Sequence, residues 1–320
     1  MTAGINKVAP AAAGNVMIVG SLNMDLVVRA PRLPLPGETL AGRSFAQAAG
    51  GKGGNQAVAA ARLGARVAML GCVGADGHGA ALCAGLVAEG IDCTALAVSE
   101  KAATGVALIV VDDTSQNAIV IVAGSNGEVT PEAIAAHEAA IASADVLICQ
   151  LETPEETVRA ALAAGRRLGK AVVLNPAPAV GPLPGDWLPL VDYLIPNEVE
   201  AAMLTGLPVR DPAGAEAAAR ALQAAGARNV IVTLGGQGVL VLTAHGAASH
   251  YPAPRVVPVD TTAAGDTFIG GFAARIAAGD ALPEAIRFAQ RAAALSVTRA
   301  GAQPSIPTLA ELDAFVPAVA

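Results

Sequence analysis

The sequence predicts an α/β fold with a doubly wound, mostly parallel central sheet flanked by helices, and three observations carry that expectation. From residue 131 onward short apolar runs alternate with longer helical stretches, the pattern of a parallel sheet. Polar side chains and glycine-rich turns follow several of the runs, where open sheets of this kind bind ligands. Apolar residues make up 53% of the 320 while aromatics reach only 2%, so Ala, Val, Leu and Ile must build the core. Any site that depends on ring stacking has few residues to draw on.

In chain order, residues 15–20 form a short apolar strand ending at glycine. Ser21-Leu22-Asn23-Met24-Asp25 and an extended run, 26–30, follow. Asn23 and Asp25, two apart on an extended chain, can point the same way and hydrogen-bond neighbouring hydroxyls, or can serve as turn formers. Residues 31–45 are Pro-rich and then extended. They lead into Gly50-Gly51-Lys52-Gly53-Gly54-Asn55 and a helix from about 56 to 63. That glycine cluster suits close backbone approach to a ligand, or a flexible loop. It is not a phosphate loop of the Walker type, because Lys52 is followed by Gly53 rather than Ser or Thr. A strand at 67–72 and a helix at 77–89 come next. Strands at 104–111 and 117–122 then enclose a polar turn. With the extended stretch after Asp25 they can form a small sheet apart from the main one.

The alternation continues as helix 131–142, strand 145–149, helix 154–168, strands 171–174 and 192–195, and helices 197–205 and 211–225. Thr130-Pro131 and Thr153-Pro154 each place a Thr cap before a first-turn Pro, and Glu156 is expected to complete a capping box. Glu152, Asn175, and Asn197 with Glu200 fall at strand ends or helix starts. Each alone reads as a cap or turn residue, but together they line one sheet edge. A strand at 231–234, the turn Thr233-Leu234-Gly235-Gly236-Gln237-Gly238 and a return at 239–243 make a glycine hairpin that could floor a nucleotide. Helices at 265–278 and 283–297, and a terminal helix near 308–315, close the chain. No internal repeat or charged linker divides it.

A net charge of −7 and a pI near 5.1, with no basic cluster, argue against nucleic acid or an anionic membrane as the main partner and favour a small ligand. Cys72, Cys83, Cys93 and Cys149 form no Cys-x-x-Cys pair, so neither a zinc site nor a disulfide framework is indicated. Residues 1–14 are too short and broken for a leader or a membrane span and are expected to be a disordered extension before a single domain, 15–320. A cytoplasmic protein is expected.

The chain is organised around Val259-Asp260-Thr261-Thr262-Ala263-Ala264-Gly265-Asp266-Thr267-Phe268. There an extended, β-branched run breaks into small residues and opens an alanine-rich helix. The amides of Ala263, Ala264, Gly265 and Asp266 are expected to stand free at the positive end of the helix dipole, making an anion site. An acid in that same turn is odd for a phosphate cradle. It makes sense if the anion is transferred to a hydroxyl that must lose its proton, with Asp266 as general base. The bland alternative is an ordinary first-turn acid.

These residues, together with Gly20 to Asp25, Gly50 to Ala57, Asn175 to Ala179 and Pro196-Asn197-Glu198-Val199-Glu200, resemble the ribokinase-type (PfkB) carbohydrate kinases over nearly the whole chain. The resemblance implies a small β-sheet lid, with segments at about 25–46 and 102–122, over a bound sugar, and ATP in a shallow groove over the second half. It implies phosphorylation of D-ribose at O5, with Asp266 as base and Ala263, Ala264 and Gly265 as the anion hole. Asn23, Asp25, Gly51, Lys52, Gly53, Gly54, Asn55 and Glu152 would face the sugar. Asn197, the turn from Thr233 through Leu234, Gly235, Gly236 and Gln237 to Gly238, and Gln290 would face ATP. Such kinases often carry a histidine at the position of Gln290. Glu200 would tune Mg²⁺ through water. A K⁺ ion is implied beside Asp260, Thr262, Ser296, Arg299, Gly301 and Ser305, several of them through a carbonyl only.

Two rivals stand beside that reading. A kinase for another sugar or a nucleoside is one, although a nucleoside enzyme is expected to stack the base and the sugar-facing segments offer only Phe45. A catalytically silent sugar sensor is the other, and would be signalled by loss of Asp266 or Gly265; both are present. A homodimer through the lid is also expected, since small isolated β segments gain by pairing across a two-fold axis.

Overall fold

The computed structural model describes residues 13–114 and 116–316; the expectation for the N-terminal extension lies almost wholly outside them. In chain order the elements are β1 (Asn15–Val19), β2 (Asn23–Arg29), β3 (Ser44–Gly50), α1 (Lys52–Arg62), β4 (Arg66–Gly74), α2 (Gly77–Ala88), β5 (Leu96–Ser99), β6 (Gly105–Val111) and β7 (Asn117–Val122). Next come α3 (Pro131–Ala136), α4 (Glu138–Ser143), β8 (Val146–Cys149), α5 (Glu155–Arg167), β9 (Ala171–Leu174), β10 (Tyr193–Leu194), α6 (Glu198–Thr205) and α7 (Pro212–Ala224). The last are β11 (Asn229–Thr233), β12 (Val239–Leu242), β13 (Ala248–Tyr251), α8 (Ala264–Ala277), α9 (Leu282–Ser296) and α10 (Leu309–Ala314).

Nine strands form the main sheet in the order β13-β12-β11-β10-β9-β8-β1-β4-β5, parallel from β11 through β5 and antiparallel at β11/β12 and β12/β13. The chain starts in the middle at β1, builds one side through β4 and β5, then returns to lay β8 on the other side. The β1/β8 junction is therefore the switch point where a doubly wound sheet opens a crevice at its strands' C-terminal ends. Alternate residues of β1 feed opposite faces. Val16 and Ile18 pack with α1, α8 and α9, while Met17 and Val19 pack with α5 and α7. A second sheet, β3-β2-β6-β7, stands apart, and it leaves all of β7 exposed.

The helix carrying Asp266 is anchored from below. Phe272 is fully buried, stacked with Phe268 at 6.4 Å and edge-on to Tyr193 at 5.1 Å. Truncating such a ring costs about 3–5 kcal/mol. Helices α1 and α8 lie against each other, and Gly270 is required there: a Cβ would stand 2.5 Å from the Ala59 methyl and 2.7 Å from the Gln56 carbonyl oxygen. This close crossing brings the first turn of α1 within reach of Asp266.

Several expectations need correction. Helix α1 starts at Lys52, so Gly53, Gly54 and Asn55 belong to its first turn and not to a preceding loop. The glycines hide that start, since they are poor helix formers tolerated where packing is tight. Asn23 and Asp25 lie within β2 rather than before it. The expected helix at 131–142 breaks at His137, which leaves helical geometry. Thr130 holds the N-cap position of α3 before Pro131, as expected, although its side chain makes no capping hydrogen bond, whereas Thr153 does not cap. Helix α5 has Pro154 at its N-cap, and the Thr153 hydroxyl is buried without a partner among the described residues, so the box through Glu156 does not form. Strands β5 and β13 were not expected; both lie at sheet edges with half or more of their residues outside the core.

Candidate active site

Helix α8 begins from Ala263, a non-glycine residue in the left-handed region at φ 57°, a conformation costing on the order of 1–2 kcal/mol. Among the described residues no backbone acceptor meets the amides of Ala263, Gly265 or Asp266, whereas that of Ala264 donates to the Thr261 carbonyl at 3.2 Å. The expectation of four free amides is thus corrected to three. The Asp266 carboxylate, 8% exposed, receives Asn55 Nδ2 on Oδ2 and Gln56 Nε2 on Oδ1, each at 2.9 Å. Two amides from α1 therefore hold an acid that rides on α8.

On the lid side, Glu152 closes the start of α1. Its Oε2 accepts the Lys52 amide at 3.0 Å and the Ser21 hydroxyl at 2.5 Å. Ser21 in turn accepts the Gly53 amide at 3.4 Å, and its carbonyl takes the Gly54 amide at 2.9 Å. Gly51 supplies the positive φ of 83° that turns β3 into the helix. Asn23, 3% exposed, has its Oδ1 held by Asn126 Nδ2 at 2.8 Å, and Asn126 also bonds both backbone groups of Leu22. Asp25 is pushed up to a pKa of about 6, first by burial, then by the charges of Glu152 and Asp266. Burial works against the Lys52 ammonium, yet Asp266, Glu152 and Glu200 outweigh it and hold its pKa above the ordinary value. One half-buried cation thus faces three carboxylates.

A cleft of about 170 Å³ continues from Lys52 past Asn175, Asn197, Glu200, Thr233, Thr261 and the start of α8. Asn197 and Glu200 cap α6 reciprocally: Asn197 Oδ1 accepts the Glu200 amide at 2.8 Å, and Glu200 Oε2 accepts the Asn197 amide at 2.9 Å. The bland cap reading and a place on the cleft wall both hold for this pair. Burial raises the Glu200 pKa, with the Asn197 amide opposing.

Beyond Thr233 the cleft widens into a mainly apolar groove of about 530 Å³. Gly235, Gly236, Gly238, Val256, Pro258, Phe268, Gln290 and Ala293 are among the residues that line it. Leu234 and Gln237 do not. Leu234 is 4% exposed in the core, and the Gln237 amide reaches away to the Arg210 carbonyl at 3.2 Å. Gln290 Nε2 donates to the Tyr251 carbonyl at 2.8 Å, tying the groove wall to the end of β13.

Behind the anion-site loop, Asp260 Oδ1 accepts the Thr262 amide at 2.9 Å and its hydroxyl at 2.6 Å, and Oδ2 accepts the Gly301 amide at 2.8 Å. Burial opposes them, but these bonds and the charge of Arg29 hold the Asp260 carboxyl below its usual value. Ser296 and Ser305 turn their hydroxyls to the Ala293 and Ala302 carbonyls, at 2.9 and 2.8 Å, and the Arg299 guanidinium pairs with Glu311 at 2.9 Å. A guanidinium cannot ligate a cation, so Arg299 could contribute only its carbonyl, whereas the two serine hydroxyls donate their protons away and keep oxygen lone pairs free.

Sequence reasoning missed Ser21, Asn126, Gln56 and Gln150. The one signal available was an amide inside an otherwise apolar run, as at Gln56 before Ala57-Val58-Ala59 and at Gln150 after Val146–Cys149. A buried amide needs partners.

The chain has known relatives in sequence and in fold. Residues 13–309 match the profile described as pfkB family carbohydrate kinase. The ribokinase of Haemophilus influenzae is 44% identical over 93% of this chain and 97% of its own. The deoxyribokinase of Salmonella typhi is 38% identical over 94% and 98%. The structure of Arabidopsis thaliana ribokinase complexed with ribose and ATP superposes with a TM-score of 0.89 at 31% identity, covering 94% of this chain and 98% of that one. With a doubly wound sheet, a separate four-stranded sheet beside the switch point and an acid set in an open helix start, this chain belongs to the PfkB family of carbohydrate kinases.

Proposed function

We propose that the protein transfers the γ-phosphoryl group of ATP to O5 of D-ribose, giving D-ribose 5-phosphate and ADP. The observation that carries this is the placing of Asp266, whose carboxylate is held by α1 on the sugar side while its own helix start presents free amides to the cleft. Asp266 accepts the hydroxyl proton as the new O–P bond forms and the bond to the ADP oxygen breaks. The amides of Ala263, Gly265 and Asp266 take up charge on the transferred group, and lid closure excludes water. Asn23, Asp25, Asn55 and Glu152, with the backbone of Gly51 to Gly54, suit several adjacent hydroxyls. The apolar groove beside Gly235, Gly236, Gly238 and Gln290 suits a nucleobase.

Glu200 stands on the cleft wall with one carboxylate oxygen outside its capping bonds, which fits contact with hydrated Mg²⁺. That ion supplies charge neutralisation on the phosphates. K⁺ would sit beside Asp260, Thr262, Ser296, Arg299, Gly301 and Ser305, where Asp260 ties the anion-site loop to Gly301, and would order that loop; assays in Na⁺ salts with and without K⁺ test this, no response counting against it. A dimer through the lid is supported by exposed Ile119, Val120, Ile121 and Val122 on β7; a monomer by light scattering at micromolar concentration would reject it. All four cysteines are free thiols, in keeping with a cytoplasmic setting. No described helix is long and apolar enough to cross a membrane.

The test is a panel of D-ribose, 2-deoxyribose, hexoses and nucleosides compared by kcat/KM. Polar groups left unpaired by a missing hydroxyl cost roughly 1–3 kcal/mol each, so 2-deoxyribose is expected to be poorer by about 10- to 100-fold. Fructose or adenosine outranking ribose would overturn the assignment.

A further inference from the structure

Beneath Asp266 lies a chain of uncharged amides that the reaction itself does not touch. Gln56 and Gln150 are both fully buried. Gln56 Nε2 donates to Asp266 Oδ1 at 2.9 Å and to Asn175 Oδ1 at 3.1 Å, so both of its N–H groups are used. Its Oε1 accepts Gln150 Nε2 at 2.7 Å. Asn175 is pinned in turn through Nδ2 to the Ile195 carbonyl at 3.1 Å. We propose that Gln56, oriented by Gln150, is a positioning residue that aims the Asp266 carboxylate at the sugar hydroxyl. The proposal rests on the reading of Asp266 as the base.

An amide has two faces, and only one of them suits a carboxylate. If the Gln56 amide flipped, its carbonyl would confront Asp266 Oδ1 in a buried setting, acceptor against acceptor. The Gln150 donor prevents this by claiming Gln56 Oε1. With Asn55 Nδ2 on the other oxygen, both carboxylate oxygens are fixed by one helix, α1, whose first turn also faces the lid. The base on α8 is thereby registered to the sugar side and not only to its own helix.

This arrangement carries a cost that packing alone does not explain. Gln150 Oε1 is buried with no partner among the described residues, and such an orphan is destabilising where an apolar side chain of similar shape would not be. Charged groups around Asp266 come from other elements: Lys52 on α1, Asp25 on β2, Glu200 on α6, and Glu152, which shares Lys52 and Asp25 with it. None of them hydrogen-bonds its carboxylate among the described residues, so orientation falls to Asn55 and Gln56.

The test is a double-mutant cycle read in kcat and in KM for the sugar, with thermal midpoints alongside. Gln56→Met is expected to lower kcat by about 10- to 100-fold while KM changes less than about threefold, the scale of a misaimed catalytic group. Gln150→Met is expected to lower kcat by roughly 3- to 10-fold. In an Asp266→Asn background the same Gln56 change is expected to cost less than about twofold, because the two act as one unit. Equal fold-losses in both backgrounds, or unchanged kcat in Gln56→Met, would overturn the proposal. If Gln56→Met does not fold, the cycle is run with Gln150→Met under the same criteria. Near-normal turnover of Asp266→Asn would instead remove the base reading and the relay with it; a crippled Asp266→Asn with additive glutamine effects removes the relay alone.

Discussion

Helices α1 and α8 lie side by side and each begins from a residue with positive φ and no side-chain cap, Gly51 at φ 83° and Ala263 at φ 57°. Their first turns end differently. At α1 the amides of Lys52, Gly53 and Gly54 are met by Glu152 and Ser21, so the fold itself delivers the anion that a helix start attracts. At α8 the amides of Gly265 and Asp266 meet no acceptor among the described residues, which leaves the same attraction for a ligand. Strain follows the same division. Glycine takes the positive φ of Gly51 freely, while alanine in the left-handed conformation at Ala263 bears a cost of the sort that gathers at functional sites. A glycine-rich helix start is therefore ambiguous until one knows whether a carboxylate from elsewhere in the chain has already closed it.

The largest expected effect comes from removing the acid in the open start. Asp266→Asn should lower kcat by about 10²- to 10⁴-fold with sugar and ATP still bound; steady-state kinetics with calorimetric binding checks this, and near-normal turnover would break the contrast. A methyl at each helix start sharpens it. A Cβ on Gly265 meets nothing within 4 Å, whereas one on Gly53 falls 2.6 Å from the Ser21 nitrogen. Gly265→Ala should therefore lower kcat/KM for ATP by about 10-fold at unchanged stability, and Gly53→Ala should lose about 1–3 kcal/mol of stability. Urea unfolding and kinetics on both variants decide this, and similar profiles for the two would count against it.

The smallest effect is on stability and depends on pH. Asp25 has a folded pKa of about 6 against an ordinary 3.8, so the folded state binds this proton more tightly than the unfolded chain. Its ionisation penalty is absent below the ordinary value and fully present above the folded one. Asp25→Asn should then stabilise the protein at pH 8 by about 1–3 kcal/mol while weakening sugar binding, and the gain should shrink as pH falls to 5. Equal gains at both pH values would contradict the assignment.

Much of this was legible in the sequence because the controlling signals are local. The alternation after residue 131, the broken run before Asp266 and the polar groups at strand ends all appear in the chain itself. What escaped was set by partners distant in sequence. Strands β5 and β13 carry few core residues and are defined by the neighbours they pair with. The start of α1 at Lys52 depends on Glu152, 100 residues away. The Thr153 box failed because Pro154, with ψ 141°, takes the cap position itself, something a spacing rule cannot see. Gln56 and Gln150, 94 residues apart, carry no charge or motif that would mark them before the sheet brings them together.

The most direct test of the contrast between the two helix starts is a crystal structure with D-ribose, ADP and aluminium fluoride as a mimic of the transferring phosphoryl group. The account predicts the fluoride group against the amides of Ala263, Gly265 and Asp266, with the ribose 5-hydroxyl within hydrogen-bonding distance of Asp266 and Glu152 still closing α1. Fluoride seated instead against the amides of Lys52 to Gly54, with Glu152 displaced, would contradict it.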